Sequence, residues 1–299
     1  MNKFKLLAFL SLLGFIWGST IPLTKIAVST GHHPIGLIVW QLSVGSIFMV
    51  GLVIWRRSKI VIDPKHVLFF AIIAFGGTLI PNFFSYIAAY HLPGGVLSLV
   101  IAMVPIFSLL IALTFGIERF VWARMVGVFL GAIAVAFLVL PESSLPDPSK
   151  VFFVFVALIA PLFYGIEGNY LMLKKPADTG PIATLFGASV FGLLVSFPIA
   201  LASGKAINPL NGIGAPELAL TLSGILHVVA YVGYVWLVSK AGSVFASQVA
   251  YIVTPAGIFM SILILGERPS IYIWTALLVL MIGLVLVQPN SKEELEETA

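Results

Sequence analysis

Apolar residues follow one another in stretches of about 20 along the whole chain, and short polar or charged joints separate the stretches. A helix needs about 20 apolar residues to cross roughly 30 Å of hydrocarbon, whereas β-barrel strands are about half as long and alternate in polarity. The pattern therefore predicts ten membrane-spanning helices, which we number as spans 1 to 10: residues 6–28, 36–55, 67–90, 95–116, 122–140, 151–172, 181–203, 217–238, 244–265 and 271–288.

The composition fits this pattern. The 299 residues are 60% hydrophobic and only 9% charged, against about 25% charged residues in soluble domains. The chain has no cysteine, which excludes disulfides, thiolate catalysis and Cys-ligated metals. The net charge of +4 comes from basic residues scattered at helix ends, so we expect no nucleic-acid partner.

The distribution of Lys and Arg predicts the orientation. With a cytoplasmic N-terminus, twelve of these residues fall inside and four fall outside, namely Lys25, Lys150, Lys205 and Arg268. Cytoplasmic loops carry an excess of basic residues. We therefore expect a multi-pass protein of the inner membrane with both termini in the cytoplasm, including the acidic tail at 291–299.

The second half of the sequence repeats the first. VPIFSLLIALTFGIER at 104–119 corresponds to TPAGIFMSILILGER at 254–268, so that Pro105 and Pro255 are 150 residues apart. YIAAYHLPGGV at 86–96 corresponds to YVWLVSKAGSV at 234–244 with an offset of 148. FIWGSTIPL at 15–23 corresponds to LFYGIEGNY at 162–170 with an offset of 147. Ordered matches at a nearly constant offset indicate an internal duplication.

Each copy contains five predicted spans, and an odd number makes the second copy enter the membrane from the opposite side. The predicted fold class is an all-α integral membrane protein whose ten transmembrane helices form two inverted-topology five-helix repeats. We place the repeats at 1–145 and 146–290, followed by the tail. This architecture is typical of alternating-access transporters, which bind solutes between their repeats.

The chain resembles the drug/metabolite transporter superfamily, EamA type. The resemblance rests on Trp17-Gly18, on GGVLSLVIAMVPIFSLLIALTFGIER at 94–119 and on GSVFASQVAYIVTPAGIFMSILILGER at 242–268. It implies the ten-helix fold and the export of amino acids, drugs or other metabolites, without identifying one solute. The first repeat departs from the pattern by one extra residue before Glu118.

Polar and aromatic residues recur at helical spacing inside several spans. Buried hydroxyls, amides and carboxylates need partners, so these faces should contact protein or a wet cavity rather than lipid. We expect them to line a substrate-binding cavity, with interhelical packing as the alternative reading: Trp17, Thr20, Asn82, Tyr86, Tyr164, Glu167, His227, Tyr231, Tyr234, Gln248 and Tyr251.

Glu167 is the acid most deeply embedded in a span. A charged side chain is costly within the bilayer and is commonly functional there. Two interpretations remain open: Glu167 contacts the amine of a solute or couples export to proton entry, or it is a structural glutamate. Desolvation raises a carboxyl pKa, which suits the proton hypothesis.

Three further features have a functional and a structural interpretation each. Pro105 and Pro255 lie in equivalent spans and are candidate hinges or gates, although membrane helices also tolerate proline. Lys25 is expected to snorkel or to bind an anionic group. The GxxxG at Gly127 and Gly131 permits close packing within the fold or a weak homodimer.

Glu118 and Glu267 each end a span next to an arginine and are expected to form interfacial ion pairs or headgroup contacts on opposite membrane faces. They therefore cannot share one site.

The predicted function is a secondary transporter that exports small organic solutes by alternating access. No GxxxxGK[ST] loop is present for direct ATP drive, and no HExxH or GxSxG motif indicates an enzyme. We expect no cofactor and no metal site. The alternatives are an organophosphate or nucleotide-sugar carrier of the same fold, which should need several buried cations, and a non-transporting scaffold or membrane enzyme.

Overall fold

The computed structural model describes residues 3–241 and 248–288. These ranges are almost entirely helical and contain no strand. The first repeat contains α1 (Lys3–Val28), α2 (Pro34–Arg56), α3 (Pro64–Ala74), a π-helical turn (Phe75–Leu79), α4 (Ile80–His91), α5 (Gly94–Ile101), α6 (Val104–Thr114) and α7 (Trp122–Val139). The second contains α8 (Phe152–Lys174), α9 (Pro181–Ala202), α10 (Ala215–Ala241), α11 (Ala250–Leu265) and α12 (Ile271–Val287).

These helices confirm the ten predicted spans. Eight stretches are long and apolar enough to cross a membrane, with α3, the π-helical turn and α4 counted as one and α5 with α6 as another. The shorter apolar helices α11 and α12 correspond to spans 9 and 10. Residues 244–247 of predicted span 9 lie outside the described residues.

The two repeated prolines have different backbones around them. Span 4 is broken into α5 and α6, and Pro105 lies in the first turn of α6. Pro255 lies inside α11, which runs from Ala250 to Leu265 without a break. Because proline has no N–H, Pro255 leaves the carbonyl of Tyr251 without its intrahelical donor. The helix is thus interrupted near Pro105 and continuous through Pro255, and the role of both prolines as hinges or gates stays a prediction.

Small residues bring the helices together where they cross. A Cβ atom added to Gly18 of α1 would lie 2.8 Å from the Cβ of Ala256 in α11. A Cβ atom on Gly127 of α7 would lie 2.6 Å from the carbonyl oxygen of Gly283 in α12. Burial of apolar surface drives little association between helices in lipid, so the van der Waals contacts of this close packing contribute more to holding them together. The GxxxG segment is thus used within the fold.

Consecutive spans alternate in direction, so the bundle has two distinct ends. We call the end where α1 begins and α12 finishes the terminal end, and the opposite one the far end. Large apolar side chains such as Ile47, Trp55 and Phe129 are exposed on the outer faces of the helices. This exposure suits a protein whose surroundings are lipid.

Candidate functional site

A chain of amide and phenol groups connects the two repeats. Asn82 Nδ2 donates a hydrogen bond of 2.8 Å to Gln41 Oε1, and the Tyr86 hydroxyl donates one of 2.7 Å to the same oxygen. The Tyr164 hydroxyl of α8 donates to Asn82 Oδ1 over 3.2 Å. These bonds fix the orientation of the Gln41 and Asn82 amides, because each oxygen must face its donors.

An aromatic cluster forms where α1 crosses α10. Trp17 Nε1 donates a hydrogen bond of 3.0 Å to His227 Nδ1. The ring centroid of Trp17 lies 5.8 Å from that of His227 and 5.9 Å from that of Tyr234. An indole nitrogen can only donate, so His227 must accept at Nδ1 and carries its proton on Nε2. His227 is therefore a neutral imidazole in this arrangement.

Glu167 of α8 lies against the π-helical turn Phe75–Leu79. A Cβ atom added to Gly77 would be 3.2 Å from the Glu167 Cδ atom, and one on Gly76 would be 3.6 Å from the Glu167 Cβ atom. The two glycines let the turn approach the carboxylate this closely. Single π-helical turns of this kind occur frequently at functional sites.

The Glu167 carboxylate forms no hydrogen bond or ion pair within residues 3–241 and 248–288, although its side chain is half-buried. Tyr164 and Tyr231 lie within electrostatic range of it. A half-buried acid without a partner is costly unless a ligand or a proton meets it.

The structure thus brings together most of the residues predicted from the sequence. Tyr231 interacts electrostatically with both Glu167 and Tyr234, which joins the carboxylate to the aromatic cluster. The amide–phenol chain joins it through Tyr164. Groups from α1, α2, α4, α8 and α10, and hence from both repeats, are thereby connected to Glu167, directly or through one another. We call this set the central cluster; its members are Trp17, Gln41, Asn82, Tyr86, Tyr164, Glu167, His227, Tyr231 and Tyr234.

Three predicted cavity residues are placed differently. The Thr20 hydroxyl donates to the Trp17 carbonyl of its own helix over 2.6 Å. The Tyr251 hydroxyl donates to the Leu284 carbonyl of α12 over 3.0 Å, and Tyr251 lines a separate cavity of about 280 Å³ near the terminal end. Gln248 lies just before α11 and forms no side-chain bond with the central cluster among the described residues.

Gln41 was missed by the sequence analysis. It is the one amide side chain in predicted span 2, and an isolated mid-span amide indicates a buried partner. No series of polar or aromatic residues at helical spacing includes Gln41, so the search for such series did not identify it.

Two charged residues near the helix ends, Lys25 and Glu118, bind within the fold. Lys25 Nζ donates to the carbonyl oxygens of Ala89 and Tyr90 over 2.7 and 3.2 Å, so it does not simply snorkel. Glu118 forms an ion pair of 2.8 Å with Arg124, six residues away.

Glu267 departs from the expected ion pair. Its two carboxylate oxygens accept hydrogen bonds from the backbone N–H groups of Gly94 and Gly95, over 2.6 and 3.0 Å.

Two stretches of the chain match the model of the EamA-like transporter family, residues 5–140 and 151–288. The boundaries of the repeats at 145 and 290 stay a prediction. A solved crystal structure superimposes on the chain with a TM-score of 0.61 at 16% identity, covering 96% of this chain and 98% of that one. At this identity the likeness shows the fold alone.

Two curated relatives are named as transporters. "Uncharacterized inner membrane transporter YedA" of Escherichia coli (strain K12) is 24% identical over 91% of this chain and 87% of that protein. "Probable terminal-alkyne amino-acid exporter" of Streptantibioticus cattleyicolor is 24% identical over 60% of this chain and 59% of that protein. With both halves matched by one family model, the chain belongs to the EamA-like transporter family.

Proposed function

We propose that the protein is a secondary transporter that exports a small organic solute by alternating access, with Glu167 at the centre of the solute site. One observation carries the proposal: a half-buried carboxylate without a partner in the described residues lies between the two repeats. The glycines of the π-helical turn in the first repeat let that turn approach the carboxylate closely. An inverted-repeat transporter binds its solute at this interface.

The groups around Glu167 favour an amine-bearing solute. The site residues include one acid, several aromatic rings and two amides, but no Lys or Arg. A carboxylate and aromatic faces attract an ammonium group, and Gln41 and Asn82 offer further hydrogen bonds. The carboxylate could instead carry a proton that is exchanged for the solute. An organophosphate or nucleotide-sugar carrier would need cations here, so the cluster does not favour that alternative.

Transport by purified protein tests the proposal. Proteoliposomes take up a mixture of radiolabelled L-amino acids or, separately, radiolabelled tyramine, while trapped pyranine reports proton movement. We expect uptake to depend on pH in the wild type and to be lost or made pH-independent by Glu167→Gln, which cannot ionise. Glu142→Gln is the matched control, because Glu142 is exposed in the loop after α7.

Transport by Glu167→Gln at the wild-type rate across about pH 5.5 to 8 would remove the carboxylate from the mechanism. An equal loss in Glu142→Gln would mean that glutamate replacement acts non-specifically. Wild-type protein that moves none of these solutes, and moves no proton, would contradict the proposed solute class.

The proposed direction requires both termini to face the cytoplasm of an inner membrane. Single cysteines test this in a chain without native cysteine. A membrane-impermeant thiol reagent should reach Ser58→Cys only from the cytoplasmic side and Ser143→Cys only from outside. Ser143 is exposed, whereas the neighbouring Ser144 is 1% exposed and would react poorly from either side. The opposite labelling pattern would reverse the topology.

A further inference from the structure

A second cavity, of about 450 Å³, lies at the far end of the bundle. Its volume falls in the range of small-molecule sites, about 300–1,000 Å³. The end of α1, the corner between α4 and α5, the loop after α7 and the loop between α11 and α12 form its walls. Six charged or ionisable side chains line it: the basic Lys25, His91, Lys150 and Arg268, and the acidic Asp147 and Glu267.

Both acids of this far-end cavity are already occupied by hydrogen-bond donors. Each Glu267 oxygen accepts one backbone N–H at the start of α5. Asp147 Oδ1 accepts from the Ser149 N–H over 3.0 Å and from the Ser149 hydroxyl over 2.7 Å. Glu267 still acts electrostatically on Lys25, and Asp147 Oδ2 lies 3.9 Å from Lys150 Nζ, so the two acids offset part of the positive charge of the four basic groups.

The basic groups keep unused donors. Lys25 has three N–H donors and uses two of them to bind the carbonyl oxygens of Ala89 and Tyr90. Lys150 Nζ lies 3.9 Å from Asp147 Oδ2, which is too far for a hydrogen bond. Arg268 is exposed and forms no ion pair within the described residues.

His91 adds an imidazole ring to the wall of this cavity. Its ring stacks on Phe153 with centroids 3.6 Å apart and lies within electrostatic range of Lys25 and Lys150. Lys25, Lys150 and Arg268 thus line one cavity with two carboxylates that already accept hydrogen bonds, so basic groups outnumber acids there.

We propose that the far-end cavity is a binding site for an oxyanion group, a carboxylate or a phosphate, separate from the central cluster. Lys150 and Arg268 supply the principal contacts, since a guanidinium binds either group through paired N–H donors. Lys25 and His91 supply further donors deeper in the cavity. The group belongs either to a small solute or to the head of an anionic lipid, which share this chemistry. The inference concerns binding at rest and does not depend on which solute is transported.

Equilibrium binding to the purified full-length chain tests this site. The protein is placed in nanodiscs of phosphatidylcholine, and the probes are inorganic phosphate and succinate, measured by calorimetry. We expect saturable binding that Lys150→Gln and Arg268→Gln each weaken about tenfold, the effect of losing one hydrogen bond to a charged group. Lys205→Gln is the matched control, because Lys205 is an exposed far-end lysine outside the cavity.

Nanodiscs containing phosphatidylglycerol separate the two sources of the anion. If this lipid competes with the probes in the wild type but not in a Lys150→Gln/Arg268→Gln double variant, a lipid headgroup is the occupant. If it does not compete, a soluble anion is. No saturable binding of either probe, or equal weakening by Lys205→Gln, would overturn the proposal. Unfolding midpoints equal to that of the wild type would show that a variant that no longer binds the probes is still folded.

Discussion

The two ends of the bundle are held together by different kinds of contact. At the far end, the His32 ring pairs with Glu217 over 2.6 Å, but at the corner between α4 and α5 charged side chains bind backbone groups at helix termini. Lys25 binds carbonyls at the C-terminus of α4, and Glu267 binds amides at the N-terminus of α5. Each charge complements the helix dipole that it meets. The two contacts flank the single corner that joins spans 3 and 4.

At the terminal end, side chains bind one another. The His66 ring lies between two carboxylates, with Nδ1 2.8 Å from Asp63 and Nε2 3.0 Å from Asp178. Arg124 binds Glu118 over 2.8 Å and the Val287 carbonyl over 3.0 Å. Apart from that carbonyl, the partners are ionisable side chains with rotamers of their own.

This difference determines how each end can open. A backbone amide or carbonyl moves only with its helix, so the Lys25 and Glu267 contacts break when a helix end shifts or when the side chain itself is withdrawn. The terminal-end contacts can be broken by a proton or by rotation of a side chain. For a transporter that opens its two ends in turn, we therefore expect protons to act on the terminal end through the His66 contacts.

The equivalent acids Glu267 and Glu118 test the comparison most strongly. Replacing Glu267 by Gln leaves one oxygen for two amide donors and places an NH₂ group against the other N–H. We expect this to cost about 1–3 kcal/mol of unfolding free energy. Glu118→Gln keeps an oxygen for Arg124 and exchanges an ion pair between half-exposed Glu118 and buried Arg124 for a neutral bond, so it should cost about 1 kcal/mol. Equilibrium unfolding in mixed micelles measures both, and equal losses would show that the two ends are held alike.

The close contact of α5 with α11 allows a second test by unfolding free energy, in which Gly95→Ala is the control for Gly94→Ala. A Cβ atom on Gly94 would lie 2.4 Å from Ser261 Oγ, while one on Gly95 would meet its nearest atom at 3.7 Å. Gly94→Ala should therefore shift α5 away from Glu267 and cost about 1–3 kcal/mol. Gly95→Ala should be neutral or stabilising by up to about 1 kcal/mol, since alanine favours a helix. A neutral Gly94→Ala would mean that the far end tolerates movement of α5.

The sequence predicts the number of spans because the thickness of the bilayer sets the length of each apolar segment. Such segments can be recognised by following hydropathy along the chain. The family assignment follows from repeated segments, which are also read directly along the chain. The residues around Glu167 were largely identified because polar groups within lipid need partners. Gln41 escaped because its partners, Asn82 and Tyr86, are about 40 residues away in the sequence.

The contacts of Lys25, Glu267 and Tyr251 could not be predicted, because each binds a backbone group of another helix. Nearly every residue has a backbone carbonyl and amide, so the type of residue does not indicate which of them serves as a partner. The break before Pro105 and the unbroken helix through Pro255 likewise depend on neighbouring helices, since both sites have the same local sequence signal.

The smallest expected effect comes from pH at His66. The pKa of Asp63 is lowered by hydrogen bonds from the His66 backbone N–H and from its ring, and the pKa of Asp178 is lowered chiefly by the ring. An acid whose pKa is depressed on folding contributes stability above its unfolded value, near 3.9, and loses it as the pH falls through the folded value. On the alkaline side, a neutral imidazole has one N–H and can donate to only one carboxylate. Lys59 also acts electrostatically on Asp178.

Both carboxylates should therefore be bound only between the acid titration of the aspartates and the loss of the imidazole proton. Thr179→Cys reports this directly, because Thr179 is 3% exposed beside Asp178 and its hydroxyl has no partner in the described residues. We expect its thiol to react several-fold faster with a maleimide in His66→Gln than in an otherwise wild-type chain at about pH 6, near the unperturbed imidazole value. The ratio should shrink as the pH rises, because the wild type then loses one of its two contacts. Taking the ratio at each pH cancels the ionisation of the thiol itself. A ratio near one at every pH would show that Asp178 is held by the packing of α3 against α9, and the proposed sensitivity of the terminal end to protons would have to come from Glu167 alone.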